Sequence, residues 1–518
     1  MQIVKFTFLC LIILLGYFPT STAHATDDEI LPNTTVADLE KFIHDMKSES
    51  KIPGLAIVVV HNDKTLYQKG LGYANVSYEK KVEQDTLFEL GSTSKAFTAQ
   101  ALFKLEEQGL VQLDDPITKY IPWLNFTYHG KPVQVTVEQL LHHTSGIPFK
   151  TIVHIPSSTS ESALEETIRT LVGVELSTPP GEKFEYATIN YDVLGYLIQK
   201  VSGVSFENYT KNEIFDEFSL NHTYFQGEVP TQNMATGYKV GFTFALAYNA
   251  PRYRGNHPAG YVVTNMDDVG RWMKIQLGSI PMEEAINKRI KRAHEPNEQV
   301  KPDIDGSSYA AGWQIYKNRN GEIAHSGNNP NFSSYIVFQP EEKLAVAVLA
   351  NLNSEYTAQI GQGIMNRLQD KKEVENNSDS FIEADKIATA ISIIFLIITW
   401  MMLFFIARTM VQIMNGRRKF IGFNVGKFYF LVGTILVICS MLSIALYFLP
   451  ELFLGGLPWR FIYVWGPVSI VTAVILIGIA GCIFCLNIGL KKIFPMKNDK
   501  LISDPYAYGG PINDKSSQ

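Results

Sequence analysis

Ser92 and Lys95 stand three residues apart in the stretch Phe88-Glu89-Leu90-Gly91-Ser92-Thr93-Ser94-Lys95. On a helix that spacing sets a hydroxyl and an amine on one face, about one turn apart, where the amine can take the hydroxyl's proton. The pair is a serine nucleophile with its base built in. Apolar Ala96, Phe97, Leu102 and Leu105 follow and stop near Gly109, so Ser92 is expected at a helix N-terminus. There the free N–H groups and the helix dipole favour a developing negative charge. Ser-x-x-Lys is common in long chains, and its bland reading is an N-cap serine followed by a solvated lysine. Two further segments change the balance. Tyr186, in Phe184-Glu185-Tyr186-Ala187-Thr188, follows the turn-like Pro179-Pro180-Gly181 and precedes a helical run. His325-Ser326-Gly327-Asn328 precedes two apolar runs, Phe332 to Phe338 and Leu344 to Leu349, parted by Gln339-Pro340.

These residues need a scaffold, and the hydrophobic pattern outlines one. Gly54 to His61 and Thr65 to Gly72, separated by Asn62-Asp63-Lys64, predict an early hairpin of β-branched and apolar residues. The runs after Asn328 predict a late hairpin whose first strand begins beside the site. Together they suggest an antiparallel sheet assembled from both ends of a domain. From about Ala96 to Val201 the pattern is mostly helical, with turn signals at Asp114-Asp115-Pro116 and Gly146-Ile147-Pro148. Ser92 and Tyr186 are then expected where a helical lobe meets the sheet. Periodicity by itself gives a mixed α/β (α+β) class.

The order Ser-x-x-Lys, Tyr-x-Asn or a variant, then Lys- or His-x-Gly resembles the penicillin-recognising serine hydrolases, which include class C β-lactamases, D,D-peptidases and related esterases. Other phrases extend the likeness over residues 35 to 355: Ile52-Pro53-Gly54, Leu140 to Pro148 with His142 and His143, His257-Pro258-Ala259-Gly260, and Arg271-Trp272-Met273. Within that group the chain resembles most the FmtA-like membrane-anchored proteins of Gram-positive bacteria. The resemblance implies a β-lactamase/transpeptidase-like antiparallel sheet with a helical lobe; no cofactor is expected, and since His142 and His143 have no partner at ligand spacing and no His-Glu-x-x-His occurs, no metal is expected either. The resemblance also implies roles. Ser92 would be the nucleophile and Lys95 its base, neutral often enough if desolvated near Tyr186. Tyr186 would be the second proton carrier. The backbone N–H groups of Ser92 and Asn328 would form the oxyanion hole, with Gly327 beside them. His325 takes the place of a lysine and would orient a substrate carboxylate when protonated or a neutral group when not. One position departs from the pattern: Thr188 stands where relatives usually carry Asn, which weakens the expectation of amide and β-lactam hydrolysis more than that of ester hydrolysis.

The ends of the chain predict where this chemistry happens. Lys5, the apolar stretch Phe6 to Phe18 and Ala23-His24-Ala25 read as a signal peptide over residues 1–25. The hydrolase domain is expected at 26–368 and a charged, Asn- and Ser-rich linker at 369–386. Three uncharged runs at 387–406, 428–449 and 461–490 are long enough to cross about 30 Å of hydrocarbon. Arg408, Arg417, Arg418, Lys419 and Lys427 follow the first run, and Lys491, Lys492, Lys497 and Lys500 follow the third, whereas Arg460 alone lies between the second and third. The positive-inside rule then makes 491–518 a cytoplasmic tail and the enzyme extracellular on a multi-pass anchor. All four cysteines fall in the signal or membrane runs, and a net charge of −6 argues against a nucleic-acid partner. The expected partners are membrane lipid and a cell-envelope substrate carrying D-alanyl groups, in peptidoglycan stem peptides or as teichoic acid esters. The alternatives are a catalytically weak penicillin-recognising binder or sensor, which Thr188 makes credible, and a β-lactamase, which needs fast deacylation.

Overall fold

The computed structural model describes residues 29–31, 34–371, 378–420, 425–453 and 455–497. The expected signal peptide and the tail beyond Lys497 lie outside the described residues.

Both expected hairpins form, and they pair with each other. Strands β1 (Gly54–His61) and β2 (Lys64–Asn75) meet at His61 and Lys64, so the turn is Asn62-Asp63, with Asn62 in the left-handed region at φ 56°. That conformation is one asparagine tolerates. After the short β3 (Lys80–Lys81) the sheet resumes late in the chain with β4 (Ser307–Tyr309), β5 (Gln314–Tyr316), β6 (Glu322–Asn329), β7 (Phe332–Gln339) and β8 (Leu344–Ala350). The order is β4-β5-β6-β7-β8-β1-β2-β3, with every pairing antiparallel. Strand β6 holds the His325 to Asn328 segment, which the sequence shows only as a stretch ahead of a strand.

Strands β1 and β8 read as unbroken apolar runs because both faces of the sheet are covered. Side chains alternate between the faces. Leu55, Ile57, Val59, Val346 and Val348 pack under α1 (Val36–Ser50) and α4 (Tyr356–Leu368), which contribute Leu39, Ile43, Met46, Ile360 and Ile364. Ala56, Val58, Val60, Ala345 and Ala347 face the helical lobe. At the lobe's centre α2 (Lys95–Glu107) packs on α3 (Ile189–Ser202). Between them the chain is less helical than its pattern predicts: short helical turns and a small hairpin, Phe126–Tyr128 with Lys131–Val133, replace long helices. Pro116, Pro122, Pro132, Pro148 and Pro156 interrupt each candidate run, since proline donates no backbone hydrogen bond and clashes with the preceding turn.

Among the described residues, three helices are long and apolar enough to cross a membrane: α5 (Ser380–Met414), most of α6 (Val425–Phe453) and α8 (Val468–Ile493). The third span begins at Val468 and not at 461. Gly466 leaves the helix with extended backbone and Pro467 restarts it, so the preceding residues form a separate short helix, α7 (Trp459–Trp465). The first helix starts at Ser380, inside the expected linker, where the Asp379 carboxylate caps it by accepting from the N–H groups of Phe381 and Ile382 at 2.9 and 3.2 Å. Arg418 donates to the carbonyl of Phe494 at 2.6 Å, so Arg417 to Lys419 and Lys491 to Lys497 share one end of the bundle. The globular domain sits at the other.

Candidate active site

Ser92 lies in a 3-10 turn, Gly91–Ser94, that runs straight into α2. The sequence placed it at the start of the helix proper; the tighter turn comes first because Gly91 holds φ +54°. A Cβ there would come within 2.4 Å of the backbone nitrogen of Asn328, and one on Gly327 within 1.8 Å of the Leu90 carbonyl oxygen. Two glycines thus let β6 run flush against the turn and bring the backbone of Asn328 beside that of Ser92. Ser334 and Thr93 fasten the contact through the Leu90 carbonyl, at 2.5 and 2.9 Å.

Lys95, at the first turn of α2, has no exposed surface. Its Nζ donates to Ser92 Oγ at 3.1 Å, Thr188 Oγ1 at 3.0 Å and the Ala259 carbonyl at 2.8 Å. Three acceptors match the three protons of an ammonium, and the nearby Asp192 also favours the charge. Desolvation dominates and lowers the amine's pKa to about 7. Asp192 sits deeper still, its own carboxyl raised well above the usual range by burial despite a 2.6 Å hydrogen bond from Asn256. An amine in this state is neutral about half the time at neutral pH, and a neutral amine 3.1 Å from a hydroxyl is a general base in position.

Tyr186 presents its ring to the cleft and keeps its hydroxyl oxygen buried without a hydrogen-bond partner. Burial pushes its pKa up, and the facing Ser92 hydroxyl opposes that push without closing a full bond. The ring lies 5.1 Å from Lys95 Nζ and packs on His143, with ring centroids 4.3 Å apart. His143 is buried and its pKa falls well below the ordinary value, first by desolvation and then through the charge of Lys95. Asn190 donates to His143 Nδ1 at 2.9 Å and accepts from Ser145 at 2.9 Å, so it supports the tyrosine loop and does not substitute for Thr188.

The cleft, about 600 Å³, is lined by Ser92, Tyr186, Thr188 and Asn328. His325 does not line it. Its Nδ1 donates to the Ser326 carbonyl at 2.7 Å, its Nε2 accepts from the Tyr309 hydroxyl at 3.1 Å, and burial lowers its pKa to about 3. Of its two expected forms, the neutral one fits. The sequence reading gave no role to four groups that belong here. Ala259 and Asn256 lie in or beside the 257–260 phrase, whose regularity was visible but whose chemistry is a backbone carbonyl. Asp192 follows the tyrosine motif closely, and Asn329 accompanies the buried Glu89, which accepts from it at 2.6 Å and from Gln226 at 2.6 Å.

Residues 39–364 match the family described as Beta-lactamase. The chain is similar to Protein flp of Staphylococcus aureus (strain COL), with 30% identity over 451 residues that span 86% of this chain and 88% of that protein. That stretch is too long to be held by residues 39–364 alone. It is also 27% identical over 404 residues to a Beta-lactamase of Escherichia coli (strain K12), covering 70% of this chain and 99% of that one. Among solved structures, the octameric penicillin-binding protein homologue from Pyrococcus abyssi matches with a TM-score of 0.58 and 29% identity, over 68% of this chain and 81% of the other.

Proposed function

The chain belongs to the beta-lactamase family of serine hydrolases, and from that premise we propose that it is an exported, membrane-anchored acyl hydrolase acting through Ser92 on D-alanyl peptide or D-alanyl ester groups of the cell envelope. The observation that carries the reading is the fully buried Lys95, with its Nζ 3.1 Å from Ser92 Oγ and its pKa lowered to about 7. Lys95 takes the Ser92 proton as Oγ forms a bond to the acyl carbon, and the backbone N–H groups of Ser92 and Asn328 receive the charge on the carbonyl oxygen. The bond from the acyl carbon to its carrier then breaks, and the carrier leaves with a proton delivered by Lys95 or Tyr186. Water attacks the ester on Ser92, releases the acid and restores the hydroxyl. Thr188, one hydroxyl in place of an amide, favours esters over amides as substrates. The basic residues gathered at the end of the bundle away from the domain favour an enzyme outside the cell.

Intact-mass analysis of the full-length protein in detergent, after exposure to a small activated ester and separately to penicillin, tests this. An acyl adduct on the parent and none on Ser92→Ala is expected, forming faster with the ester. A folded parent that takes up neither reagent would favour the binder or sensor, and a penicillin adduct that is rapidly lost would favour a β-lactamase.

A further inference from the structure

Part of the cleft's lining comes from outside the hydrolase domain. Arg460, Phe461, Val464 and Trp465 line the same cavity as Ser92, and all four belong to α7 and its last turn, between the second and third membrane helices. The rings of Phe461 and Trp465 stack, centroids 5.4 Å apart and 9° from parallel, one helical turn from each other. Several contacts hold this helix against the domain. Lys239 donates to the Tyr463 carbonyl at 2.8 Å, and Arg460 reaches His154 Nδ1 at 3.4 Å. The bundle is gripped in turn: Asp385 of α5 accepts from the backbone N–H groups of Phe242 and Thr243 at 2.9 and 2.7 Å, and from Ser469 of α8 at 2.5 Å. Asp379, at the head of α5, accepts from Ser354 at 2.5 Å and from the Glu355 N–H at 2.7 Å.

Depth follows from sequence. Trp459, Phe461, Tyr463 and Trp465 immediately precede a membrane span, the position at which aromatic side chains settle among lipid headgroups. A cleft lined by that segment opens at headgroup depth. Charge follows from the lining. Among the described residues around the cavity, Arg460 is the one Lys or Arg side chain, and no Asp or Glu lines it. It is also the basic residue that the positive-inside pattern leaves exceptional. A cation with no carboxylate nearby, set beside stacked aromatic rings at the membrane surface, suits an anionic headgroup whose chains stay in the bilayer.

We infer that α7 is a substrate-reading wall, and that the acyl carrier is a membrane-anchored anionic amphiphile whose ester-bearing end reaches Ser92 without leaving the lipid surface. Arg460 receives the phosphate, and Phe461 with Trp465 packs against the carrier near its chains. The chemistry at Ser92 is that proposed above; the inference rests on that reading and adds the carrier.

The test uses full-length protein in lipid nanodiscs and three esters of one acyl group, D-alanine: on phosphatidylglycerol, on chainless glycerol phosphate, and on an uncharged diacyl glycolipid. The expected kcat/KM for the first exceeds that for each of the others by tenfold or more. Phe461→Ala with Trp465→Ala removes the advantage over the chainless ester, and Arg460→Gln removes the advantage over the uncharged lipid. Each variant unfolds at the parental temperature in nanodiscs, which shows that it folds, and Arg460→Gln also lowers turnover of the chainless ester, which carries the phosphate. Equal turnover of all three esters by a parent whose activity needs Ser92 overturns the inference and leaves the hydrolase standing. No Ser92-dependent turnover of any ester overturns both.

Discussion

The two walls of the cleft are built on opposite terms. The inner wall, Ser92, Tyr186 and Thr188 with Lys95 behind them, is held from within the domain: Lys95 is fully buried and has a partner for each proton. The outer wall, Arg460 to Trp465, is a short helix borrowed from the membrane bundle, with Arg460 exposed and the rings half-buried. The inner wall gains its chemistry from burial, because desolvation is what makes an amine basic-form and reactive at neutral pH. The outer wall has no group whose protonation the reaction needs. Bond making is therefore confined to a rigid interior, and choice of carrier is left to a rim that travels with the membrane. Changes to the inner wall are expected to slow every substrate alike; changes to the rim are expected to sort them.

The largest effect should come from Lys95→Met, which keeps the volume and removes the base. Acylation by a soluble ester, followed by stopped flow in the full-length protein, is expected to fall about a thousandfold, within the usual range for losing a general base. The same variant tests burial. Lys95 has a folded pKa of about 7 against an ordinary 10.5. Between those values the unfolded chain holds a proton that the folded chain lacks, so the parent gains stability as pH rises through that window, and below it the full cost of burial remains. Lys95→Met should accordingly melt above the parent at pH 7, with the gap closing toward pH 10. A variant that melts lower at pH 7 would mean that the three hydrogen bonds outweigh desolvation.

The pH profile comes next. With Lys95 required neutral, log kcat/KM for a soluble ester should rise by one per pH unit up to about 7 and then level. His325, lowered to about 3, and Tyr186, raised by burial, add no inflection between pH 5 and 9. A rise that continues to pH 9 or beyond would place the lysine in water in the working state and erase the contrast between the walls.

The inner wall was legible in sequence because its members are local and typed. A hydroxyl and an amine three residues apart, a tyrosine after a turn and a glycine beside a strand each leave a signal that survives without coordinates. The two hairpins were legible for a similar reason: alternation and turn residues act over a few positions. What failed to show has one cause, contact between distant segments. The Ala259 carbonyl that receives Lys95 is backbone and carries no side-chain signature. Helix α7 reads as the start of a membrane run, since hydropathy records apolarity and not depth or direction. Asp385, the hinge of the whole placement, looks like an ordinary linker carboxylate until Phe242 and Thr243, more than a hundred residues away, turn their N–H groups on it.

The smallest effect sharpens the comparison most. Thr188 touches both walls' business: it lines the cleft and accepts from Lys95 at 3.0 Å. If its role is to steady the base, Thr188→Val should lower kcat/KM by about tenfold, the worth of one hydrogen bond near 1–1.5 kcal/mol. The loss should be the same for soluble and lipid-anchored esters, because the ammonium and Ser92 are common to both. The plateau of the pH profile should also shift, since the amine loses one of the acceptors that favour its charged form and its pKa drops below about 7. A loss that falls on one ester and spares the other, with the inflection unmoved, would reassign Thr188 from the base to the carrier and move the boundary between the walls one residue inward.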